Sequence, residues 1–459
     1  MKSHTQTIAE FICALSFDKL PQEVIDNIKK CVLDAIGNAI GGLDTFEVKA
    51  IRSAITKHDR FQGATIWGIG EKTSVANAAF VNTVAHEGMD FTAAGADSSI
   101  QTTIVPAALA VAEENRINGK MLITAITVAL ESQWRASMAL DSKGTAFKQK
   151  GFYVTSICGP LGAAAACSKL VNLDENQTTM ALGIAASEGL GPSYCAYMGK
   201  ARGKVLFCGL SGYMGVVAAY MAKEGLTSVV DVMEADGGFL DTFSDLSKLE
   251  MTTWKLGEEF LSKYLCYKLY PCCRYIHPYL DAALKIRGEH NVKPESIEKI
   301  TAYYPPESYN GVIRHDPPTE VMHAQFHLAW TVAAALIDGE VTIDTYQQER
   351  LKDSAVWELA QKLEYIANPE MEIGVKYTGF PPFAVPGDLR VRMKDGKEYV
   401  EKVDQPRGVA TSTYGDIYSK FERQAQKVLS KDRIKRIAKT CENLERLDDV
   451  GDLVKLTVP

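Results

Sequence analysis

The stretch PQEVIDNIKKCVLDAIGNAIGG, residues 21–42, constrains the fold more than any other. Val24, Ile25, Ile28, Val32, Ile36 and Ile40 recur every three or four residues, the spacing that lines up side chains on one helix face. Pro21 suits a first helical turn, and Gly41-Gly42 supplies a stop. The same texture continues in VPAALAVAEEN (105–115), GPLGAAAACSKL (159–170) and GYMGVVAAYMAKEG (212–225). Their many Ala and Gly residues predict closely packed helices rather than a sheet. GLGPS (189–193) neither follows a strand nor matches a phosphate-binding loop, so nucleotide binding is not expected.

The texture changes near residue 269. SIEKITAYYP (296–305) reads as a strand, and DLRVRMKDGKEYVEKV (388–403) alternates about Asp395-Gly396, a hairpin signal. FHLAWTVAAALIDG (326–339) reads as a buried helix, and from about 411 onward the pattern is helical again. A chain of 459 residues exceeds the ~250–300 that one core holds. The expected fold class is therefore α+β, mainly α. A large all-helical domain takes residues 1–268 plus 411–459, and a smaller inserted α+β lid domain takes 269–410. The cleft between them is where a ligand site is expected.

Charge and composition exclude several functions. Apolar residues at 46% and charged residues at 23% fit an ordinary globular protein, and a net charge of −7 argues against a nucleic-acid partner. SKDRIKRIAKT (430–440) is locally basic and reads as the solvated face of a helix. In MKSHTQTIAEFICALSF, Glu10 interrupts what would otherwise be a secretory h-region, and no window approaches the ~18 apolar residues of a membrane span. The expected location is the cytosol, away from membranes, with the ten cysteines reduced. Cys31, Cys158, Cys167 and Cys208 lie in apolar settings and read as small buried hydrophobes.

YPCCRYIHP (270–278) gathers two cysteines, an arginine and a histidine between two prolines. Zinc sites prefer Cys-x₂₋₄-Cys, and no second Cys/His pair with that spacing follows, so no metal is expected. A disulfide between neighbours is strained. A nucleophilic cysteine needs a lowered thiol pKa, which a sequence does not reveal. Two readings stay open on the residues alone. In one, a rigid turn presents Arg274 to an anionic substrate and His277 for proton transfer. In the other, a junction loop uses both side chains to satisfy local carbonyls.

KLYPCCRYIHPYLDAAL resembles the hallmark stretch of the MmgE/PrpD family, and the likeness runs along nearly the whole chain. CVLDAIGNAIGG (31–42), ATIWGIGEKTSVANAAFVNTVAHEGMDF (64–91), TIVPAALAVAE (103–113), GPLGAAAACSKLVNLDENQTTMALGIAAS (159–187), GLSGYMGVVAAYMAKEGLTSVVDVMEADGGF (209–239) and HLAWTVAAALIDGEV (327–341) are each similar to family segments. The resemblance implies a helical domain with an α+β lid, a cofactor-free homodimer, and a small carboxylate as substrate. It also implies site residues. Asp90 stands where the family has the first Asp of its HALDxDD segment, and Lys204, five residues before Gly209, matches the cleft lysine of TKxLHxG. Arg274 and His277 lie in the hallmark itself. Chemistry of this kind needs a base near a carbon beside a carboxylate and a cation near the developing charge. Lys204 suits either role, since desolvation lowers a lysine pKa. The bland readings are a snorkelling lysine and a helix-capping aspartate.

Other positions depart from the family pattern. Alignment through Asn82 and Asp90 without a gap puts Glu87 where the family usually has His; His86 then falls one residue early, unless a shift restores it. Thr92, Ala93 and Ala94 replace the following acidic pair. Ser99 and Tyr153 stand at two further family histidines, and Trp330 at the lid-helix tyrosine. Asp97, Gln101, Lys200, Arg202, His323 and His327 lie nearby in motif terms; Lys200 and Arg202 read equally as a solvated loop and as carboxylate binders. The expected enzyme is a cofactor-independent lyase that removes a proton next to a carboxylate. Alternatives are an epimerase or isomerase using Lys204 with Tyr153 or His277, and a non-catalytic carboxylate-binding relative. The expected catalytic set is Lys204, His277, Asp90 and Tyr153. Arg274, Glu87, His86, Ser99, Arg202, Lys200 and Trp330 are expected to bind substrate. An acid at Glu87 and an indole at Trp330 predict fewer carboxylates than in a citrate-type ligand.

Overall fold

The structure is a computed structural model that describes residues 2–95, 99–140, 150–189, 191–195, 203–306, 311–371, 385–408 and 412–459. The helix Gln22–Gly42 forms as its periodicity predicts, with Val24, Ile25, Ile28, Val32, Ile36 and Ile40 all buried. Pro21 stands just before the helix, in extended backbone, rather than within its first turn.

Two helices begin earlier than their prolines suggest. Ile100–Glu114 runs through Pro106, and Val154–Leu170 runs through Pro160. A proline inside a helix leaves the carbonyl four residues back without its partner. At Pro160 another helix supplies a donor: the Ser211 hydroxyl donates to Ser156 O at 3.3 Å.

Close approach of helix backbones explains the Ala/Gly texture. A Cβ added at Gly215 would stand 2.2 Å from Ala163 Cβ, and one at Gly42 would stand 2.1 Å from Ala85 O. The helices Gln22–Gly42, Val75–Glu87, Val154–Leu170 and Gly203–Lys223 thus pack with little between their main chains. Gly203–Lys223 is long and apolar enough by length and composition to cross a membrane. The sequence reading missed this because glycines interrupt the apolar run.

The buried apolar side chains of the described residues fall into two large cores and a small cluster of Tyr153 with Cys208. One is built from residues between Ile8 and Tyr267 together with Ile417 to Val454. The other spans Tyr270 to Met393 and includes Met89 and Phe91 from the helical half. The first region holds one short antiparallel pair, β1 (Ala64–Thr65) and β2 (Lys72–Thr73), and in the second four strands, β3 (Ile297–Tyr304), β4 (Leu363–Ala367), β5 (Gly387–Met393) and β6 (Glu398–Val403), form a sheet in the order β4-β3-β5-β6. β3 and β4 are parallel, and the crossover between them carries Leu328–Asp338. β5 and β6 form the antiparallel hairpin, turning at Gly396 with φ +87°. The helix His277–His290 packs on that hairpin and on Leu328–Asp338.

Candidate active site

The centre of the site is the turn that follows the helix Val75–Glu87. Asp90 adopts φ +50°, a left-handed conformation that Asp tolerates better than bulkier residues. Its N–H donates to Glu87 O at 3.0 Å. Met89 and Phe91 on either side insert into the second core. Both neighbouring carbonyls are pinned. Gln325 Nε2 donates to Met89 O at 2.7 Å, and Lys420 Nζ donates to Phe91 O at 2.6 Å. Side chains from the lid and from the C-terminal helix Tyr414–Ala425 therefore hold the turn from two directions.

Two lysines close on Asp90. Lys204, in the first turn of Gly203–Lys223, ion-pairs with Asp90 Oδ1 and with Glu87 Oε1. Lys268, at the junction between the two cores, donates to Asp90 Oδ2 and to Asp90 O, each at 2.8 Å. Glu87 Oε2 accepts from Thr102 Oγ1 at 2.8 Å and from Thr92 Oγ1 at 3.1 Å. All four charged residues are at most 5% exposed. Burial pushes the Lys204 pKa down, but the Asp90 and Glu87 carboxylates reverse this and hold it well above the ordinary lysine value. The expectation of a lysine with lowered pKa is thereby corrected: Lys204 is a fixed cation in this arrangement. For Asp90, burial pushes the pKa up, yet the two ammonium groups bring it below the usual carboxylate value.

Tyr153 closes the helical side. Burial holds its phenol well above its ordinary pKa, with the Lys204 charge opposing, so it is a protonated donor. It hydrogen-bonds Thr155 and the Cys208 thiol. Thr155 Oγ1 also accepts the Ser99 N–H at 3.2 Å, which ties Ser99 to the site through its backbone.

The lid side is YPCCRYIHP. His277 Nε2 lies 3.4 Å from Cys272 O, and the ring meets Tyr270 edge-on at 5.1 Å. Burial, followed by the Lys268 charge, lowers its pKa to about 3, so the imidazole is neutral near pH 7. Lys204 and His277 make no direct hydrogen bond or ion pair among the described residues; His277 feels the charges of Lys268 and Asp90, and Asp90 pairs with Lys204. Arg274 is buried and hydrogen-bonds Cys266. Cys272 and Cys273 are free thiols; burial raises both pKa values, that of Cys273 to about 11, which disfavours the nucleophile reading. The Phe326 ring centroid lies 5.8 Å from Lys204 Nζ, close enough for a cation–π contact.

Three expected binding residues lie elsewhere or outside the described residues. Lys200 and Arg202 fall outside them, as does Asp97. Trp330 is wholly enclosed in the second core, 5.9 Å from the Tyr346 ring, and makes no hydrogen bond or ion pair with the Lys204–Asp90 group. His327 caps the helix Leu328–Asp338 by accepting the Trp330 N–H at 3.2 Å.

His86 also moves away from its expected role. Successive helix residues point about 100° apart. Glu87 therefore meets Lys204 while His86 faces a second buried network. There Gln101 Nε2 lies 3.3 Å from His86 Nε2 and donates to Asp34 Oδ2 at 2.6 Å. Asp34 Oδ1 pairs with Lys420 at 2.6 Å. This network anchors the same Lys420 that holds Phe91 O.

The sequence reading missed Lys268 and Lys420. Lys268 had a signal, a lone charge in the apolar junction run YLCYKLYP. Lys420 had none, because Asp34 lies on a helix at the other end of the chain.

Burial lowers the pKa of His86 to about 4 and that of His277 to about 3. Both are below the unfolded value of about 6.5, so the unfolded chain binds more protons as pH falls. Stability is then fully present above pH 6.5 and declines below it, by up to about 1.4 kcal/mol per pH unit for each histidine. Urea unfolding between pH 7 and pH 4.5 checks this. His86→Gln is expected to flatten the decline, and an identical slope in that variant would count against the assignment.

Residues 6–252 match the MmgE/PrpD N-terminal domain, and residues 270–446 match the MmgE/PrpD C-terminal domain. Cis-aconitate decarboxylase of Homo sapiens is 27% identical over 476 residues, covering 99% of this chain and 95% of that protein. The Mus musculus protein of the same name is 27% identical over 477 residues, covering 99% and 93%. Cis-aconitate decarboxylase of Aspergillus terreus is 24% identical over 480 residues, covering 98% and 95%.

Proposed function

The chain belongs to the MmgE/PrpD family, and on that premise we propose that it is a lyase that acts on a small carboxylic acid without a cofactor. The observation that carries the reading is the convergence of Lys204 and Lys268 on Asp90 in a buried turn. An electron pair created beside a carboxylate spreads onto its oxygens. Fixed cations in a water-poor site stabilise that charge far better than water does.

Each neighbouring group has a role suited to its protonation state. His277, neutral near pH 7, takes the proton from the carbon next to the carboxylate. The electron pair left behind is held by Lys204 and Lys268. It then forms a carbon–carbon double bond as the neighbouring hydroxyl departs with the Tyr153 proton as water. Arg274 binds a second carboxylate. Loss of carbon dioxide, as the names of the relatives describe, also leaves an electron pair that such cations hold. An epimerase is the second reading. His277 opens the helix His277–His290 of the second region and Tyr153 precedes the helix Val154–Leu170 of the first, which suits removal of a proton on one face and its return on the other. A cytosolic homodimer is part of the same proposal.

Purified protein given a panel of hydroxy- and unsaturated mono-, di- and tricarboxylic acids tests the lyase reading. The expected result is a new double bond, seen by ultraviolet absorbance, or released carbon dioxide with at least one acid. Neither product with any acid would contradict it.

A further inference from the structure

We infer that Glu87 sets the number of carboxylates on the substrate, favouring a dicarboxylate over a tricarboxylate. The inference rests on the carboxylate-binding reading above and names the substrate class within it. The buried turn holds two ammonium groups, Lys204 and Lys268, and two carboxylates, Asp90 and Glu87. Their formal charges cancel. The second network adds none, since Lys420 and Asp34 pair with each other.

Glu87 is not placed to swing away when a ligand arrives. It is the last residue of the helix Val75–Glu87 and is fully buried. Its Oε2 is fixed by the hydroxyls of Thr102 at 2.8 Å and Thr92 at 3.1 Å, leaving Oε1 directed at Lys204. An anion approaching Lys204 therefore meets a cation already matched by two carboxylates. Each further carboxylate on the ligand adds repulsion from Glu87 that water does not screen in so buried a place.

Glu87→Gln separates charge from shape. The amide oxygen still accepts from Thr92 and Thr102, while the four-group centre becomes cationic by one. Succinate and tricarballylate are suitable probes, because both are saturated and lack a leaving group. Their affinities for wild type and variant are measured by calorimetry at one ionic strength. The wild type is expected to bind succinate more tightly. Glu87→Gln is expected to raise tricarballylate affinity at least about tenfold; the ceiling is about a thousandfold, the scale of one unit charge removed at ~4 Å where the effective dielectric is ~20. Succinate affinity is expected to rise less. Glu87→Met, which lacks the charge and fills similar space, is expected to shift the ratio in the same direction and serves if the glutamine variant folds poorly. An unchanged succinate-to-tricarballylate ratio in a folded variant overturns the inference alone. Failure of both acids to bind either protein overturns the carboxylate reading and the inference with it.

Discussion

Replacing Lys204 by alanine is expected to lower turnover by about 10²–10⁴-fold, the range over which a positioned acid–base or charge-stabilising group contributes. The expectation follows from where the ammonium sits. It is buried, paired with Asp90 and Glu87, and held well above its ordinary pKa, so it is charged throughout the neutral range. Lys268 remains on the other oxygen of Asp90 in the variant, which keeps the turn partly neutralised. Glu87 loses its buried partner, so about 3–5 kcal/mol of stability is expected to go with the turnover, and a circular dichroism melt run beside the assay separates lost chemistry from lost structure. A folded Lys204→Ala protein within about threefold of wild-type turnover would remove Lys204 from the mechanism.

The second large effect is on stability. Asp90→Ala leaves Lys268 buried without its carboxylate and Lys204 with Glu87 alone, and places a residue that disfavours positive φ at +50°. Breaking a buried ion pair from one side typically costs about 3–5 kcal/mol. Asp90→Asn is expected to cost less, because Asn tolerates the left-handed conformation and its oxygen still accepts a lysine proton. Urea unfolding should rank wild type above Asn and Asn above Ala. Equal stability of the two variants would mean that neither backbone conformation nor the amide oxygen matters at this turn, and equality of both with wild type would mean that the charge does not matter either.

How much of this was legible depends on whether the determining contact is local. The face of Gln22–Gly42 and the Asp395-Gly396 hairpin are written in periods of 3.6 and 2, so both were readable. The starts of Ile100–Glu114 and Val154–Leu170 were not. Both helices begin several residues before Pro106 and Pro160, and the Ser156 carbonyl that Pro160 releases is met by Ser211 from another helix, a contact no local pattern shows. The choice between His86 and Glu87 was ambiguous by alignment and is decided by helix phase. The sign of the Lys204 shift was misread for a related reason. Burial is visible in a sequence as apolar surroundings, whereas two carboxylates brought together by a left-handed turn are not. Lys268 reaches Asp90 across 178 positions, and no local pattern announces such a pair.

The central claim is that the Lys204–Asp90–Lys268 centre stabilises an electron pair next to a carboxylate. Incubation of a panel of small carboxylic acids with the protein in deuterium oxide tests it most directly, with mass spectrometry reading the label. The account predicts that wild type places deuterium on the carbon next to a carboxylate in at least one recovered acid or product, and that folded Lys204→Ala does so at least about 100-fold more slowly. No label with wild type on any acid, as for a protein that only binds, or equal labelling by the variant, would contradict it.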